Sequence, residues 1–272
     1  MAKQPNRKSS KVYDVALGKM RIPPALVTQR DFRKAHGDRI AADLDLNKIG
    51  LPVLNHRAGI FWVLDGQHRI YALKQFGFKD ADVVACEVYE DLTDAEMADM
   101  FLGRDARKPI PAYDKFHVSC TAGRDRELDI RRAVEANGQR ISRKPGEGIS
   151  AISALGNVYD RAGAVVLGQV IRTINLGFGG DERAFDVSIV EGLGLDFNRY
   201  NGGINEKRLG ARLADLKQGA SELLRKAEAI RVRTGNQKKQ CVAAVVVDLY
   251  NKGLGPRDKD RLPSWWKEAD DQ

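Results

Sequence analysis

Apolar residues are spaced differently before and after about residue 110. Before it, short apolar runs bounded by glycine, proline and polar residues alternate with segments of helical spacing. The predicted strands cover residues 12–17, 19–22, 60–64 and 83–89. The predicted helices cover residues 31–43, 67–77 and 93–102. Short strands that alternate with helices predict a mixed α/β domain in this part of the chain.

After residue 110 the strand signals fade and apolar residues recur at helical spacing. The predicted helices cover residues 126–137, 149–161 and 165–176. Gly138 is expected to stop the first of them, and Gly163 to separate the other two. One further helical face carries Phe185, Ile189, Leu193 and Phe197. This half of the chain is therefore predicted to be helical.

A longer apolar stripe lies between residues 207 and 230. Its members recur in steps of four and three: Leu209, Leu213, Leu216, Ala220, Leu223, Ala227 and Ile230. This spacing is typical of a packed helix or of a short coiled coil. Two interpretations stay open, namely packing inside a helical domain and a homodimer through helix 207–230.

These patterns predict an α+β protein with four parts. Residues 1–11 are polar and basic without periodicity, which predicts a disordered arm. Residues 12–110 form the mixed α/β domain, residues 111–255 an all-helical domain, and residues 256–272 a charged tail. The pair Trp265–Trp266 lies in that tail and is expected to clip it onto the protein, with stacking on nucleic-acid bases as the alternative.

The charge of the chain indicates a polyanionic partner. The net charge is +8 over 272 residues, and the basic residues are concentrated in segments. Residues 1–39 carry ten basic and three acidic side chains, and residues 104–144 carry eleven basic and six acidic ones. Basic surfaces attract nucleic acid, so duplex DNA is the expected partner. The chain has no apolar run of 18 residues, so no membrane contact is expected.

Cysteine and histidine usage predicts neither a disulfide framework nor a metal centre. The cysteines are Cys86, Cys120 and Cys241. They are far apart and odd in number, and free thiols fit a reducing cytoplasm. His36, His56 and His117 have no metal-ligand spacing and are assigned to the surface or to packing.

The most informative segment is residues 61–73, FWVLDGQHRIYAL. An apolar strand ends at Asp65, Gly66 lets the backbone turn sharply, and the polar triplet Gln67–Arg69 opens a helix. The first N–H groups of a helix have no partner within it, so this turn suits a bound phosphate. The alternative is an ordinary turn between a strand and a helix, because known phosphate loops carry more glycines.

Two residues of this motif are candidates for catalysis. Asp65 could hold a metal or act as a general base, or its carboxylate could cap the helix. His68 could act as a general acid or base near neutral pH, or it could only contact a bound phosphate. The sequence leaves both choices open.

Four segments stand in the order seen in the ParB/sulfiredoxin superfamily: Ile22–Pro24, Thr28–Phe32, Gly50–Val53 and Leu64–Arg69. Within it the chain resembles ParB-like proteins with an Asp-Gly-Gln-His-Arg motif, which are common in actinobacteria and their phages. The resemblance spans roughly residues 12–116. It implies a small mixed sheet with helices in a phage- or plasmid-type DNA-binding protein, located in the host cytoplasm if a phage encodes it.

The resemblance implies a nucleotide phosphate at the start of the helix after Gly66. Arg69 matches the last arginine of the Gly-Glu-Arg-Arg turn with which ParB proteins bind a cytidine nucleotide, and His68 replaces the arginine before it. The implied ligand is a nucleoside triphosphate, CTP or ATP, with Mg²⁺. The residues assigned to nucleotide or phosphate binding are Gln29, Arg30, Gly66, Gln67, His68, Arg69, Arg104, Arg107 and Lys108.

Two departures from the superfamily narrow the function. Gln67 stands where sulfiredoxins carry their catalytic cysteine, so the nucleophile of that reductase is missing. Gly103 and Arg104 replace the Glu and Asn of a second ParB box, Glu-Asn-x-x-Arg, which argues against a ParB-type CTP switch. The guanidinium groups of Arg104 and Arg107 could still bind phosphate in two-pronged contacts.

The helical half offers candidate DNA contacts but no recognisable helix-turn-helix over residues 120–180. The basic side chains on or beside its helices are Arg131, Arg132, Arg140, Arg143 and Lys144. Two functions stay open: a ParB-like DNA-binding protein, and a ParB-like nuclease or NTPase that hydrolyses phosphodiester or phosphoryl groups with a metal. Whether the protein is an enzyme is not decided by the sequence.

Overall fold

The computed structural model describes residues 8–25, 27–104 and 110–266, without the side chain of Arg104. This part of the chain forms two compact units, one that ends at Asp125 and one that begins at Arg126. The first is mixed α/β and the second is helical, which confirms the predicted α+β class. Within the described ranges, no helix combines the length and the apolar character needed to cross a membrane.

A five-stranded mixed sheet forms the centre of the first unit. Its strands are β1 (Lys11–Ala16), β2 (Met20–Arg21), β3 (Val53–Arg57), β4 (Ile60–Asp65) and β5 (Val83–Glu90). Their order is β1-β5-β3-β4-β2, with antiparallel pairs β1–β5 and β3–β4 and parallel pairs β3–β5 and β2–β4. Ala58 (φ 52°) and Gly59 (φ 74°) form the tight turn between β3 and β4, as hairpins of this type require.

Helices cover both faces of the sheet in the first unit. They are α1 (Lys34–Ala42), α2 (Gln67–Phe76), α3 (Asp94–Arg104) and α4 (Ala112–Thr121). Side chains alternate along β4, so Val63 packs with Ile70 and Leu73 of α2. The next residue, Leu64, packs with Met97 of α3. Strand β4 is therefore buried on both faces, and its end is held between α2 and α3.

Helix α3 and its neighbour α4 set the end of the first unit. A capping box begins α3, since the Thr93 N–H donates to Glu96 Oε2 (2.8 Å) and the Glu96 N–H donates to Thr93 Oγ1 (3.2 Å). Helix α4 packs on α3 through Ala98, Phe101 and Val118. Because of this packing, the structure places the division after Asp125 and not near residue 110.

The second unit is a bundle around one buried helix. Its helices are α5 (Asp125–Ala136), α6 (Ile152–Phe178), α7 (Val187–Arg199), α8 (Glu206–Ala214), α9 (Gly219–Thr234) and α10 (Lys238–Asn251). Helix α10 packs against α7, α8 and α9, and all its residues from Cys241 to Val247 are buried. Gly163 (φ 78°, ψ 179°) kinks α6, and Gly138 (φ 73°) follows α5, as the sequence predicts.

The apolar stripe between residues 207 and 230 is not one helix. It is divided between α8 and α9, and the Asp181 carboxylate begins α9 by accepting the Ala220 N–H at 2.9 Å. Leu209, Leu213 and Leu223 are fully buried in the second unit. The structure therefore has no single helix 207–230, and of the two interpretations it supports packing inside a helical domain, because most side chains of the stripe are buried in the second unit.

The tail of the chain is attached to the second unit. The Arg199 guanidinium lies 5.0 Å from the Trp265 ring centroid, and its Nη1 donates to the Trp265 carbonyl at 2.8 Å. Leu262 is buried, and the amide of Asn251 bonds both its carbonyl and its N–H. These contacts confirm that Trp265 belongs to a clip that holds the tail.

Candidate anion-binding site

Glycine is required at the turn between β4 and α2. Gly66 has φ 106° and ψ 15°, a left-handed conformation that other residues rarely adopt. A Cβ atom at this position would lie 3.2 Å from Cα of Pro52. The Gly66 carbonyl accepts the Ile70 N–H at 2.9 Å, which is the first hydrogen bond of α2. Strand β4 therefore passes directly into α2, whose first N–H groups point back toward the turn.

A cavity of about 110 Å³ opens at this turn, and we call it the anion pocket. Its lining residues are Gln29, Arg30, His36, Ile40, Asp65, Gly66, Gln67, His68, Arg69 and Phe101. The structure thus brings together residues 29–30 and residues 65–69, which the sequence analysis assigned to one site. Sites that enclose drug-sized ligands have volumes of about 300–1,000 Å³, so this cavity suits a single phosphate-sized group.

Two buried glutamines hold the segment around Arg30 against the turn. The side-chain amide of Gln67 donates to the Arg30 carbonyl at 2.9 Å. The side-chain amide of Gln29 donates to the Val63 carbonyl on β4. Because both NH₂ groups are engaged in these bonds, the glutamines position Arg30 beside the pocket.

His68 is packed between other rings. The Phe32 ring stacks on it at 4.9 Å between centroids with an interplanar angle of 22°, and the His36 ring lies 4.9 Å away. His68 Nε2 accepts the backbone N–H of Arg33 at 3.1 Å, which assigns the imidazole proton to Nδ1. The neutral ring can therefore offer one N–H donor, from Nδ1.

The surroundings of His68 favour its neutral form. Burial lowers its pKa to about 4, and the charges of His36 and Arg30 act in the same direction. A general acid at neutral pH needs a pKa closer to 7. The environment therefore equips His68 for packing and hydrogen bonding more than for proton transfer near neutral pH.

Arg69 and Asp65 form a pair at the mouth of α2. Arg69 Nη2 lies 3.4 Å from Asp65 Oδ2, and Arg69 Nη1 donates to the Leu51 carbonyl at 2.9 Å. Among the described residues the Asp65 carboxylate contacts Arg69 and not the N–H groups of α2. Of the roles left open for Asp65, the helix cap is therefore excluded, because Gly66 is the residue at the N-cap and the Asp65 carboxylate pairs with Arg69.

The lining of the anion pocket is electropositive. Its described residues include two arginines, Arg30 and Arg69, against one carboxylate, Asp65, and the neutral His68 adds an N–H donor without charge. Guanidinium groups match phosphate geometry through two-pronged hydrogen bonds. Together with the N–H groups at the start of α2, this charge distribution favours an anion.

The predicted phosphate ligands at the end of α3 cannot be placed in the pocket. The side chain of Arg104 and all of Arg107 and Lys108 lie outside the described residues. Phe101, which precedes them on α3, lines the anion pocket. The prediction for these three residues stays a prediction.

The predicted DNA contacts all belong to the second unit: Arg131, Arg132, Arg140, Arg143 and Lys144. Several of them have acidic or carbonyl partners. Arg132 Nη1 lies 2.7 Å from Asp129 Oδ1, and Lys144 Nζ lies 3.6 Å from Glu147 Oε1. Arg140 Nε donates to the Glu147 carbonyl at 2.6 Å. Exposed pairs of this kind are weak and can be exchanged for phosphate contacts.

Sequence reasoning missed three residues of the anion pocket. His36 and Ile40 are four residues apart on α1 and therefore share one helix face. The sequence shows this spacing, but no pattern along the chain shows that this face of α1 packs against α2. No sequence pattern indicates Phe101 as a site residue, because it reaches the pocket only through the packing of α3 under the sheet. Gly37 permits the approach of the helices, since a Cβ there would lie 2.5 Å from the Tyr71 ring.

No group of three or more His, Cys, Asp or Glu side chains suited to a metal occurs among the described residues. All three cysteines are buried. Burial raises the pKa of the Cys86 thiol to about 11. A thiol with such a pKa is protonated at neutral pH and is a poor nucleophile.

A family model described as "Family of unknown function (DUF6551)" matches residues 23–263. The chain belongs to this family. The matched range includes the whole described lining of the anion pocket, so the pocket lies inside the region that family members share. No curated protein matches the sequence.

Two solved structures of ParB N-domains are similar to this chain. The C2221 form of a Pnob8-like ParB-N domain has 12% identity and a TM-score of 0.41, over 90% of this chain and 98% of that chain. A pNOB8-like ParB N-domain has 15% identity and a TM-score of 0.36, over 95% of this chain and 85% of that chain.

Proposed function

We propose that the protein is a ParB-like DNA-binding protein whose anion pocket binds a phosphate group of a nucleotide or of nucleic acid. The observation that carries the proposal is the pocket itself. It joins the glycine turn, the N-terminus of α2 and two arginines, Arg30 and Arg69, in one cavity of phosphate size. The order of motifs shared with the ParB/sulfiredoxin superfamily supports the same assignment.

The charge of the chain supports a polyanion over a small organic acid. The net charge of +8 and the basic segments favour long-range attraction of nucleic acid. Arg131 and Arg132 on α5 are expected to add phosphate contacts that carry no base specificity. Affinity for duplex DNA should therefore fall steeply as the salt concentration rises.

Calorimetric titration of the full chain tests the pocket. The titrants are pyrophosphate, CTP, ATP and GTP, each with and without Mg²⁺. Arg69→Gln removes the guanidinium but keeps an amide that can still bond the Leu51 carbonyl, so the loop should stay in place. We expect at least a tenfold loss of affinity for every phosphate ligand that the wild type binds. The matched control is Arg231→Gln, an exposed arginine paired with Glu228 in the second unit, which should bind as the wild type does.

Electrophoretic retardation and fluorescence anisotropy with labelled duplex DNA test the partner. The double variant Arg131→Gln/Arg132→Gln should weaken binding and reduce its salt dependence without changing the pyrophosphate titration. The proposal is overturned if folded wild-type protein neither retards duplex DNA at low salt nor binds any of the phosphate ligands. If Arg69→Gln and Arg231→Gln bind the phosphate ligands equally well, the anion pocket is not the phosphate-binding site.

A further inference from the structure

Asp196 is a buried acidic side chain in the second unit. It lies on α7 and is fully buried, and neither of its carboxylate oxygens has a hydrogen-bond partner among the described residues. Buried polar side chains are nearly always hydrogen-bonded, so an orphaned carboxyl group needs an explanation. A bound proton explains it, because the neutral acid is buried at far lower cost than the charged carboxylate.

The helices that pack on α7 bring apolar side chains against it. Val158 of α6 would lie 2.5 Å from a Cβ atom at Gly194, and Val242 of α10 would lie 2.7 Å from a Cβ atom at Gly192. Helices α6 and α10 therefore approach α7 closely and shield Asp196 from water. This burial raises the pKa of Asp196 well above its usual range.

Two side chains at the end of α7 interact electrostatically with Asp196. They are Arg199, whose positive charge favours the carboxylate, and Tyr200, whose phenol responds to the charge of Asp196. Within the described ranges, no charged group of α6 or α10 adds to them. Arg199 follows Asp196 by three residues, a spacing at which side chains on a helix are neighbours. Arg199 is therefore the cation that an ionised Asp196 would attract.

The same two side chains hold the tail of the chain, through contacts that we call the tail clip. The Arg199 guanidinium lies 5.7 Å from the Tyr200 ring centroid and 5.0 Å from the Trp265 ring centroid. Its Nη1 donates to the Trp265 carbonyl at 2.8 Å, and the Tyr200 hydroxyl donates to the Pro263 carbonyl at 2.8 Å. Arg199 is thus a neighbour of both the buried carboxyl group and the tail.

We propose that Asp196 is a proton switch for the tail clip. While Asp196 carries a proton, its neutral carboxyl group does not attract Arg199, and the guanidinium stays on Trp265. When the proton leaves for solvent, the buried carboxylate requires a counter-charge, and the Arg199 guanidinium turns from Trp265 to Asp196. The Trp265 end of the tail is then released. This inference concerns the second unit alone and does not depend on the proposed function.

Other contacts of the tail do not respond to pH in the same direction. Burial raises the pKa of Tyr200 to about 12, so its hydroxyl still donates to Pro263 at mildly alkaline pH. Burial also raises the pKa of Asp248 on α10, and the charge of Arg261 in the tail opposes this shift. Ionisation of Asp248 would therefore strengthen the attachment of the tail, whereas ionisation of Asp196 weakens it.

Acrylamide quenching of Trp265 fluorescence measures the release of the tail. The full chain with Trp62→Phe and Trp266→Phe keeps Trp265 as its single tryptophan and serves as the reference protein. We expect its quenching constant to rise at least twofold between pH 5 and pH 9, while the far-UV circular dichroism stays constant. Acrylamide is uncharged, so the rise reports exposure of the ring.

Four variants of the reference protein assign this response to its residues. Asp196→Asn removes the ionisable group at nearly the same shape and should keep the low quenching constant at both pH values. Asp196→Leu, with an apolar side chain of similar size, should behave alike and replaces it if the buried amide prevents folding. Arg199→Gln should show the high constant at both pH values, because its clip is lost. Asp248→Asn is the matched control and should keep the pH response.

Three results would overturn the inference. The first is a reference protein whose quenching constant does not rise over this pH range. The second is a rise that persists in Asp196→Asn, Asp196→Leu or Arg199→Gln, because another side chain then carries the effect. The third is a rise that coincides with a loss of circular dichroism, because it reports unfolding of helices and not release of the tail.

Discussion

Protonation of His68 is expected to destabilise the first unit in mild acid. The ring accepts the Arg33 N–H at Nε2, is stacked by Phe32 and lies beside His36. A proton on Nε2 would break the hydrogen bond and place a positive charge next to other positive side chains. His68→Gln removes the titrating ring and keeps an acceptor near the position of Nε2.

The size of this effect follows from the lowered pKa. The pKa of His68 falls from 6.5 to about 4 on folding, so the unfolded chain takes up the proton first as the pH falls. The contribution of the neutral His68 ring to the free energy of unfolding is therefore complete above pH 6.5 and is lost progressively toward pH 4. Proton linkage then lowers the free energy of unfolding by at most about 2.5 kcal/mol between pH 7.5 and pH 4.5. Solvent screening at the open pocket reduces this to about 1–2 kcal/mol.

Urea unfolding at the two pH values measures the effect. The wild type should lose about 1–2 kcal/mol more than His68→Gln between them. The control is His56→Gln, because His56 lies in a half-exposed pair with Glu90 and its removal should leave most of the acid-induced loss. The reasoning is refuted if the wild type and His68→Gln lose the same free energy of unfolding. An NMR titration of the His68 ring with a midpoint near 6.5 would refute it directly.

Three further predictions concern other parts of the molecule. In urea unfolding, Gly66→Ala should destabilise the protein by about 1–2 kcal/mol more than Gly59→Ala. Both positions have positive φ, but only a Cβ atom at Gly66 would lie close to another residue, Pro52. Equal losses would contradict this. Leu223→Ala should cost about 2–5 kcal/mol, with an unfolding midpoint independent of protein concentration, because Leu223 is packed inside the second unit. A concentration-dependent midpoint would restore the coiled-coil interpretation. Asp196 is fully buried with neither carboxylate oxygen bonded among the described residues, and burial raises its pKa. Since a raised pKa of an acid removes stability as the pH rises, Asp196→Asn should be less destabilised than the wild type between pH 5 and pH 8 in the same assay.

The local geometry of the candidate site could be predicted from the sequence. The strand that ends at Asp65, the turn at Gly66 and the helix that begins at Gln67 are all present where the pattern predicts them. Short-range rules suffice here, because the periodicity, the glycine and the start of the helix lie within a few residues of one another. The same rules placed the kink of α6 at Gly163.

The sequence by itself therefore determined the elements, the α+β class and the chemistry of the turn, because each depends on neighbours along the chain. Only the tertiary structure decided what those elements face. It placed His36 against His68, gave Asp65 an ion pair with Arg69, and divided the 207–230 stripe between two helices. Burial, pKa values and cavities arise from side chains that are distant in sequence, and no local pattern records which of them will meet.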